Sequence, residues 1–280
     1  GAPPETLLER FVAHASDQGM TLYSAQEDAV LALLLGSHVI LATPTGSGKS
    51  LVALALHARS IVEGTRTFYT APIKALVSEK FFALSRELGP KNVGLQTGDA
   101  TVNRDAPVIC CTAEILASLA LREGARARIA SVVMDEFHYY AERERGMAWQ
   151  LPLLTLPDTQ FLLMSATLGN VDWLKEDLER RTGKSVEIVR GMERPVPLEF
   201  EYREVPLKET LGDLLLSDRA PVYVVHFSQR AAHDLAQDLM SIELVSKERK
   251  HQIKAALRDF RFDSPYGKDV ARFVKHGVGV

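Results

Sequence analysis

Thr43-Pro-Thr-Gly-Ser-Gly-Lys-Ser50, the stretch TPTGSGKS, decides how this chain is read. It follows the apolar run His38–Ala42, which reads as a buried strand, and precedes the apolar stretch Leu51–Ile61, which reads as a helix. Pro44-Thr-Gly-Ser-Gly48 cannot stay extended, and its glycines allow backbone angles that other residues resist. Such a loop turns successive N–H groups inward and makes a concave anion site at a helix N-terminus. Thr43, Thr45, Gly46, Ser47 and Gly48 would form the cradle. Lys49 would reach the β- and γ-phosphates of a nucleotide, and the Ser50 hydroxyl would ligate Mg2+. The strict pattern expects Gly at position 43, where this chain has Thr43. A Gly-rich turn before an ordinary helix is the plainer alternative, and the preceding strand together with the Lys-Ser pair argues against it.

A second string, Asp135-Glu-Phe-His138, follows the apolar run Ser131–Met134. Asp135 would hold the metal, directly or through water, and Glu136 would orient and deprotonate an attacking water. Adjacent side chains on a strand point to opposite faces, so both carboxylates can serve one site only where the strand ends and turns. Alone, the pair would read equally well as a helix cap. Beside a phosphate loop it points to nucleotide hydrolysis.

The chain has 280 residues, 46% hydrophobic and 25% charged, the balance of a soluble globular protein with one large or two modest domains. No apolar run nears the roughly 20 residues that a membrane helix needs. Gly1-Ala-Pro-Pro4 carries no signal pattern and reads as an expression scar or a trimmed start. The only two cysteines, Cys110 and Cys111, are adjacent; neighbours in a strand rarely bridge, and two ligands make no zinc site. They read as small core residues in a reducing, cytoplasmic setting. Net charge is −3, so any nucleic-acid surface must be local. The clusters Arg122/Arg126/Arg128, Arg143/Arg145 and Arg180/Arg181/Lys184 read on their own as solvated faces.

Short apolar runs alternate with helical patterns, the mark of a parallel α/β sheet. Seven strands are expected: 38–42, 66–71, 93–96, 107–112, 131–135, 160–165 and 186–189. Helices are expected between most of them, among them 73–88, 113–121 and 171–181. Runs such as PVICCT and SVVMD are apolar throughout, as strands covered on both faces are. Gly191-Met-Glu-Arg-Pro-Val-Pro197 breaks the pattern and reads as a stiff connector. Beyond it, 198–205 and 221–227 read as strands, and 209–216, 229–240, 246–260 and 269–275 as helices. The domain expectation is therefore 1–190, a linker 191–197, and 198–280.

With these residues in view, the chain resembles superfamily 2 helicases of the DExH-box class, in the superkiller-like branch of exosome-associated RNA helicases, and among them bacterial members. TAPIKALVSEKF (70–81) resembles motif Ia, GLQTGD (94–99) motif Ib, and CCTAEIL (110–116) the block after it. DEFHYY with the following ERG and Trp149 resembles motif II and its branch-specific tail; SAT (165–167) resembles motif III. RPVPLEF (194–200) resembles the inter-lobe connector and VVHFSQR (224–230) motif IV. Thr43 suits a helicase-type variant of the phosphate loop.

The resemblance implies a RecA-like, P-loop NTPase fold with helices on both faces of the sheet, followed by an incomplete second RecA-like lobe. It implies ATP and Mg2+ as nucleotide and cofactor. Gln26, in LYSAQEDAV, would hydrogen-bond adenine, or is simply a polar residue on the helix after Tyr23. Thr70, Pro72, Lys74, Thr97, Gly98 and Thr112 would line a track for the phosphates of one nucleic-acid strand. Ser165 and Thr167 would couple nucleotide state to grip near Asp135 and His138. The implied activity is ATP-dependent, 3′-to-5′ RNA unwinding. RNA is favoured over DNA as the strand, and a nuclease partner is left open. A DNA repair helicase and a nucleotide- or RNA-binding module without catalysis are the rival readings. No LSGGQ or NKxD string occurs, which speaks against ABC transporters and GTPases, and no QxxGRxGR-like string occurs. The expectation is one complete lobe and the opening of a second, without motifs V and VI.

Overall fold

In the structure, a computed structural model that describes residues 3–191 and 198–280, the apolar runs pair into one eight-stranded sheet. The strands are β1 (His38–Ala42), β2 (Thr67–Ala71), β3 (Val93–Gln96), β4 (Thr101–Val102), β5 (Val108–Thr112), β6 (Ser131–Met134), β7 (Gln160–Ser165) and β8 (Val186–Arg190). Their order across the sheet is β4-β3-β5-β2-β6-β7-β1-β8. All pairs are parallel except β3–β4. The expected strand 131–135 ends one residue early, although the Asp135 N–H still donates to the Thr70 carbonyl at 2.9 Å. β4 is an addition to the seven expected strands. Two exposed residues are too short a run to show a period.

The continuous apolar runs have a simple cause. Successive residues of a strand face opposite sides, and here both sides are covered. Val39 and Leu41 of β1, Val108 and Cys110 of β5, and Leu162 and Met164 of β7 enter one core layer. Ile40, Ile109, Cys111, Phe161 and Leu163 enter the other. The first layer is closed by helices α2 (Ser24–Leu34), α3 (Lys49–Val62) and α4 (Lys74–Leu88), with Leu8 and Phe11 of α1 (Pro4–Asp17) against it. The second is closed by α5 (Ala113–Glu123), α6 (Met147–Thr155) and α7 (Asp172–Thr182). Burial pushes the Cys110 thiol up to about 12 and raises Cys111 as well, so both stay protonated and inert, as small core residues should.

The chain divides into two compact units, Gly1–Pro197 and Leu198–Val280. Residues 192–197, most of the expected connector and the first part of RPVPLEF, lie outside the described residues. The second unit has helices α8 (Leu207–Leu216), α9 (Gln229–Leu239), α10 (Lys247–Ala256) and α11 (Pro265–Val274). Ser228, Ser246 and Ser264 cap the last three through their side-chain oxygens. The two strands expected at 198–205 and 221–227 do not form. A strand exists only through lateral pairing, and among the described residues neither run has a neighbour to pair with. Their β-forming side chains, Phe200, Tyr202, Tyr223 and Phe227 among them, are largely exposed.

Two buried histidines make the first unit sensitive to acid. His38 Nδ1 accepts the Phe161 N–H at 2.9 Å, so the neutral ring carries its proton on Nε2, 2.8 Å from Thr182 Oγ1. His57 is sealed beneath α3, with Nδ1 3.0 Å from Thr67 Oγ1. Burial lowers His38 to about 4, helped by the charge on Lys184, and lowers His57 to about 3. The unfolded chain binds more protons than the folded one below the ordinary histidine value. Stability is therefore full above about pH 6.5 and falls toward pH 4 by at most about 1.4 kcal/mol per pH unit for each ring. Urea midpoints taken between pH 7 and pH 5 will fall, and His57→Gln will flatten that slope while lowering stability at pH 7. An unchanged slope in the variant would remove His57 from this account.

Candidate functional site

Parallel strands all end on one edge, and the residues expected to hold phosphates, metal, water or a nucleic-acid strand, Gln26 aside, sit there. In sheet order, the carboxyl ends of β3, β5 and β2 carry Thr97 and Gly98, then Thr112, then Thr70, Pro72 and Lys74. The ends of β6, β7 and β1 carry Asp135 to His138, then Ser165 and Thr167, then the 43–50 loop. The two groups do not interleave, and they meet at the β2–β6 pair. Five steps of about 4.8 Å separate β3 from β1, so the edge is about 24 Å long.

Gly46 and Gly48 sit at φ 83° and 74°, which lets the loop curl over the start of α3. The first amides of α3 have no carbonyl within the helix to donate to. Thr43 and Ser47 are buried, and their hydroxyls pair at 2.7 Å, so these two tie the loop together from inside. Thr45, Gly46, Gly48 and Ser50 are exposed. Lys49 Nζ donates to the carbonyls of Thr43 and Pro44 at 2.8 and 3.0 Å. Desolvation lowers the Lys49 pKa, while the charges of Asp135 and Glu136 pull it back up. Ser50 Oγ accepts from Lys80 Nζ at 3.2 Å, a neighbour the sequence did not suggest.

Gln26 is placed differently from the expectation. Its Nε2 donates to the Ser47 and Gly48 carbonyls at 2.9 and 3.2 Å, and its Oε1 accepts the Tyr23 N–H at 2.8 Å. The amide braces the loop from below. A polar side chain buried beside loop carbonyls turns toward them.

β6 ends as the adjacent carboxylates require. Glu136 takes a left-handed backbone, φ 50° and ψ 46°, and a short 3-10 turn follows over Phe137–Ala141. That reversal brings both carboxylates to the edge. The Glu136 N–H donates to Asp135 Oδ1 at 2.9 Å, and the Tyr69 hydroxyl donates to Asp135 Oδ2. Tyr69 pairs with Val133, so Asp135, two residues on, shares its face. The sequence offered one signal for Tyr69: a phenol inside a fully buried strand needs a partner for its hydroxyl. His138 Nδ1 lies 3.1 Å from Ser165 Oγ and 3.3 Å from Glu136 Oε2, and Ser165 Oγ also accepts the Thr167 N–H at 3.2 Å. Ser165 thus links the end of β7 to the carboxylate turn; the exposed Thr167 joins through its backbone.

On the other half of the edge, the three expected hydroxyls already have partners within the protein. Thr70 is buried and its Oγ1 donates to the Val133 carbonyl at 3.3 Å. Thr112 is buried at the start of α5, and the Pro72 ring is buried too. Thr97 Oγ1 donates to Asp99 Oδ1 at 2.9 Å, and Lys74 Nζ pairs with the same oxygen at 2.9 Å. Thr70 thus turns to β6, and the Thr97 and Thr112 hydroxyls meet the Asp99 and Glu114 carboxylates, while Lys74 and Gly98 stay exposed. Asp99 went unnoticed as the bridge between the β2 and β3 loops; Lys74 and Thr97 hold its carboxyl below the usual range.

Among the described residues no group of three or more His, Cys, Asp or Glu side chains could hold a metal. Ser50 and Asp135 offer two oxygen ligands from α3 and the end of β6. That donor set suits Mg2+, which takes few protein ligands and completes its shell with phosphates and water. No helix among the described residues is long and apolar enough to cross a membrane.

The profile of the DEAD/DEAH box helicase family matches residues 23–174, more than half of the chain. The chain is 35% identical over 199 residues to the DExH-box ATP-dependent RNA helicase DExH15 of Arabidopsis thaliana, covering 66% of this chain and 17% of that protein. It is 36% identical over 177 residues to the antiviral helicase SKI2 of Saccharomyces cerevisiae, covering 62% of this chain and 14% of that one. The chain therefore spans less than a quarter of the length of these relatives. In fold it is similar to the crystal structure of the DUF1998 helicase MrfA, with a TM-score of 0.59, 21% identity, and 90% of this chain and 44% of that chain covered.

The brace beneath the loop is testable without any ligand. A Cβ on Gly48 would lie 2.2 Å from Gln26 Nε2, on a backbone that L side chains rarely adopt. Gly48→Ala should cost roughly 1–3 kcal/mol in urea unfolding. In a Gln26→Ala background only the backbone part of that cost should remain. Equal costs in both backgrounds would show that Gln26 does not press on the loop.

Proposed function

Since this chain belongs to the DEAD/DEAH box helicase family, we propose that it is the nucleotide-binding lobe of an ATP-dependent RNA helicase of the superkiller-like DExH class. One observation carries the reading. The phosphate-loop lysine and the two carboxylates of the β6 turn lie within electrostatic reach of one another, while the lysine and loops of the other half-edge face the same way.

In this reading Gly46, Gly48, Lys49 and the first amides of α3 bind the phosphates of ATP. Lys49 exchanges the carbonyls of Thr43 and Pro44 for phosphate oxygens. Ser50 and Asp135 hold Mg2+, which would neutralise charge developing on the transferred phosphoryl group. Tyr69 and the Glu136 N–H fix the two oxygens of Asp135. Glu136 takes the proton of the attacking water. His138 and Ser165 connect that turn to β7. Lys74, the Gly98 backbone and the β2 and β5 loops contact strand phosphates, independently of sequence. Residues 198–280 are read as the opening part of a second RecA-like lobe, a role to which the exposed apolar runs 198–205 and 221–227 are suited. RNA is the preferred strand because the DEFHYY tail and the TGD context resemble the RNA-directed branch, and a cytoplasmic location fits that role.

Lys49→Ala should weaken Mg·ATP binding by at least about tenfold with little change in melting temperature, because the lysine serves the ligand more than the core. Equal ATP affinity in the variant would take Lys49 out of the site. Glu136→Gln should bind ATP normally, and in any preparation that turns over ATP it should lose about 10²–10⁴ in rate. Near-normal turnover would sink its role as base. Single-stranded RNA should bind without sequence preference and weaken steeply with salt. Tighter binding to DNA of matched sequence would move the chain to the repair-helicase reading.

A further inference from the structure

Arg145 is the arginine of the ERG string, to which the resemblance assigns no role, yet it makes more directed contacts than any other side chain on the edge described above. Its Nη2 donates to the Pro72 carbonyl and, at 2.6 Å, to Glu114 Oε1, which Nε also reaches at 3.2 Å. Pro72 begins the loop after β2. Glu114 stands in the first turn of α5, two residues after Thr112. One guanidinium therefore bridges two neighbouring loops of the proposed strand track.

The other side of Arg145 rests on the carboxylate turn. Its guanidinium carbon lies 5.7 Å from the ring centre of Tyr139 and 5.9 Å from that of Trp149. Tyr139 and Trp149 stack at 5.5 Å with planes 19° apart, and Trp149 is fully buried. Tyr139 in turn packs against His138, at 4.9 Å. Gly146 sets the position of the arginine. A Cβ there would lie 2.3 Å from the Tyr140 carbonyl and 2.5 Å from that of Glu142, both backbone atoms that cannot move aside. The chain can thus return against the 3-10 turn only with glycine at 146, and this return aims Arg145 across the β2–β6 boundary.

We propose that Arg145 is a positioning residue for nucleic-acid binding, a bracket that holds the Pro72 loop and the α5 start in register with the Glu136–His138 turn. This rests on the reading of the β3–β5–β2 edge as a strand track. Arg145 acts through its neighbours and not on the strand, since its Nε and Nη2 donors point to Pro72 and Glu114. Lysine cannot replace it: an ammonium lacks the planar fork that serves a carbonyl and a carboxylate while lying over two rings.

The test measures binding of a fluorescent single-stranded oligouridylate to the full chain across a salt series, alongside Mg·ATP affinity and melting temperature. Arg145→Ala and Arg145→Lys should each weaken RNA binding by about tenfold with an unchanged salt slope, since no phosphate contact is lost. Glu114→Gln cuts the bracket from the other side and should weaken RNA binding in the same direction. Combined with Arg145→Ala it should add less than its own single effect. Mg·ATP affinity should stay within about twofold in all three. Lys74→Ala, which removes a direct contact, is the control and should lower the salt slope by about one. If Lys74→Ala weakens RNA binding and the Arg145 variants do not, the bracket is wrong and the track stands. A salt slope reduced by about one in Arg145→Ala would make it a direct phosphate ligand and overturn positioning. Loss of Mg·ATP affinity and melting temperature together with RNA affinity would make it a general structural residue. If no variant, Lys74→Ala included, alters RNA binding, the track reading falls and the bracket with it.

Discussion

The pairing of β2 with β6 is the contact on which the rest of the edge depends. Four residues of each strand run in register, Thr67 to Thr70 against Ser131 to Met134. That register places the Tyr69 phenol on the same face as Asp135 and lets the Asp135 N–H reach the Thr70 carbonyl. Because side chains alternate along a strand, a slip of one residue would turn every one of these groups to the opposite layer. The hydroxyls of Ser131 and Thr67 meet at 2.8 Å near the other end of the same pair. Polar contacts so deep between two apolar layers fix register where apolar packing alone would tolerate alternatives.

The topology explains how the two proposed sites would share one edge without mixing. Chain order brings β1, β2 and β3 in sequence, but the sheet inserts β6 and β7 between β1 and β2. The phosphate loop and the carboxylate turn thus stand on one side of the boundary, and the β2, β5 and β3 loops on the other. Side chains that cross it include the Tyr69 phenol to Asp135, Thr70 to the Val133 carbonyl, Ser131 to Thr67, Lys80 to Ser50, and Arg145 from the carboxylate-turn side to Pro72 and Glu114. Exposed ion pairs such as Lys74–Asp99 contribute little in solvent, so the edge owes its shape to the buried strands and only its trim to surface charge.

Much of this was legible in the sequence, for reasons that particular residues make clear. Runs such as VICCT and FLLMS could only be strands covered on both faces, and seven were located to within a residue or so. TPTGSGKS and DEFH announced themselves by chemistry that has few other uses. What the sequence hid was direction and partnership. Nothing in Thr70 says that its hydroxyl faces Val133 and not solvent, and nothing in Gln26 says that its amide meets two loop carbonyls. Arg145, read both in a charge cluster and in the ERG string, showed no partner until the structure brought Pro72 and Glu114 to it. The two runs of the second unit failed differently: β-propensity was present, but a strand is a property of two segments, and one sequence run cannot supply its own neighbour.

The left-handed backbone at Glu136 has a consequence for how this protein changes over generations. A non-glycine residue held at φ 50° stores strain of about 1–3 kcal/mol, and glycine or asparagine would relieve it. The residue that folds most comfortably at the end of β6 is therefore not the one that puts a second carboxylate there. Selection for stability alone would drift away from glutamate at this position, and selection for turnover would restore it. Copies released from their chemical task should lose that carboxylate early and gain thermal resistance as they do.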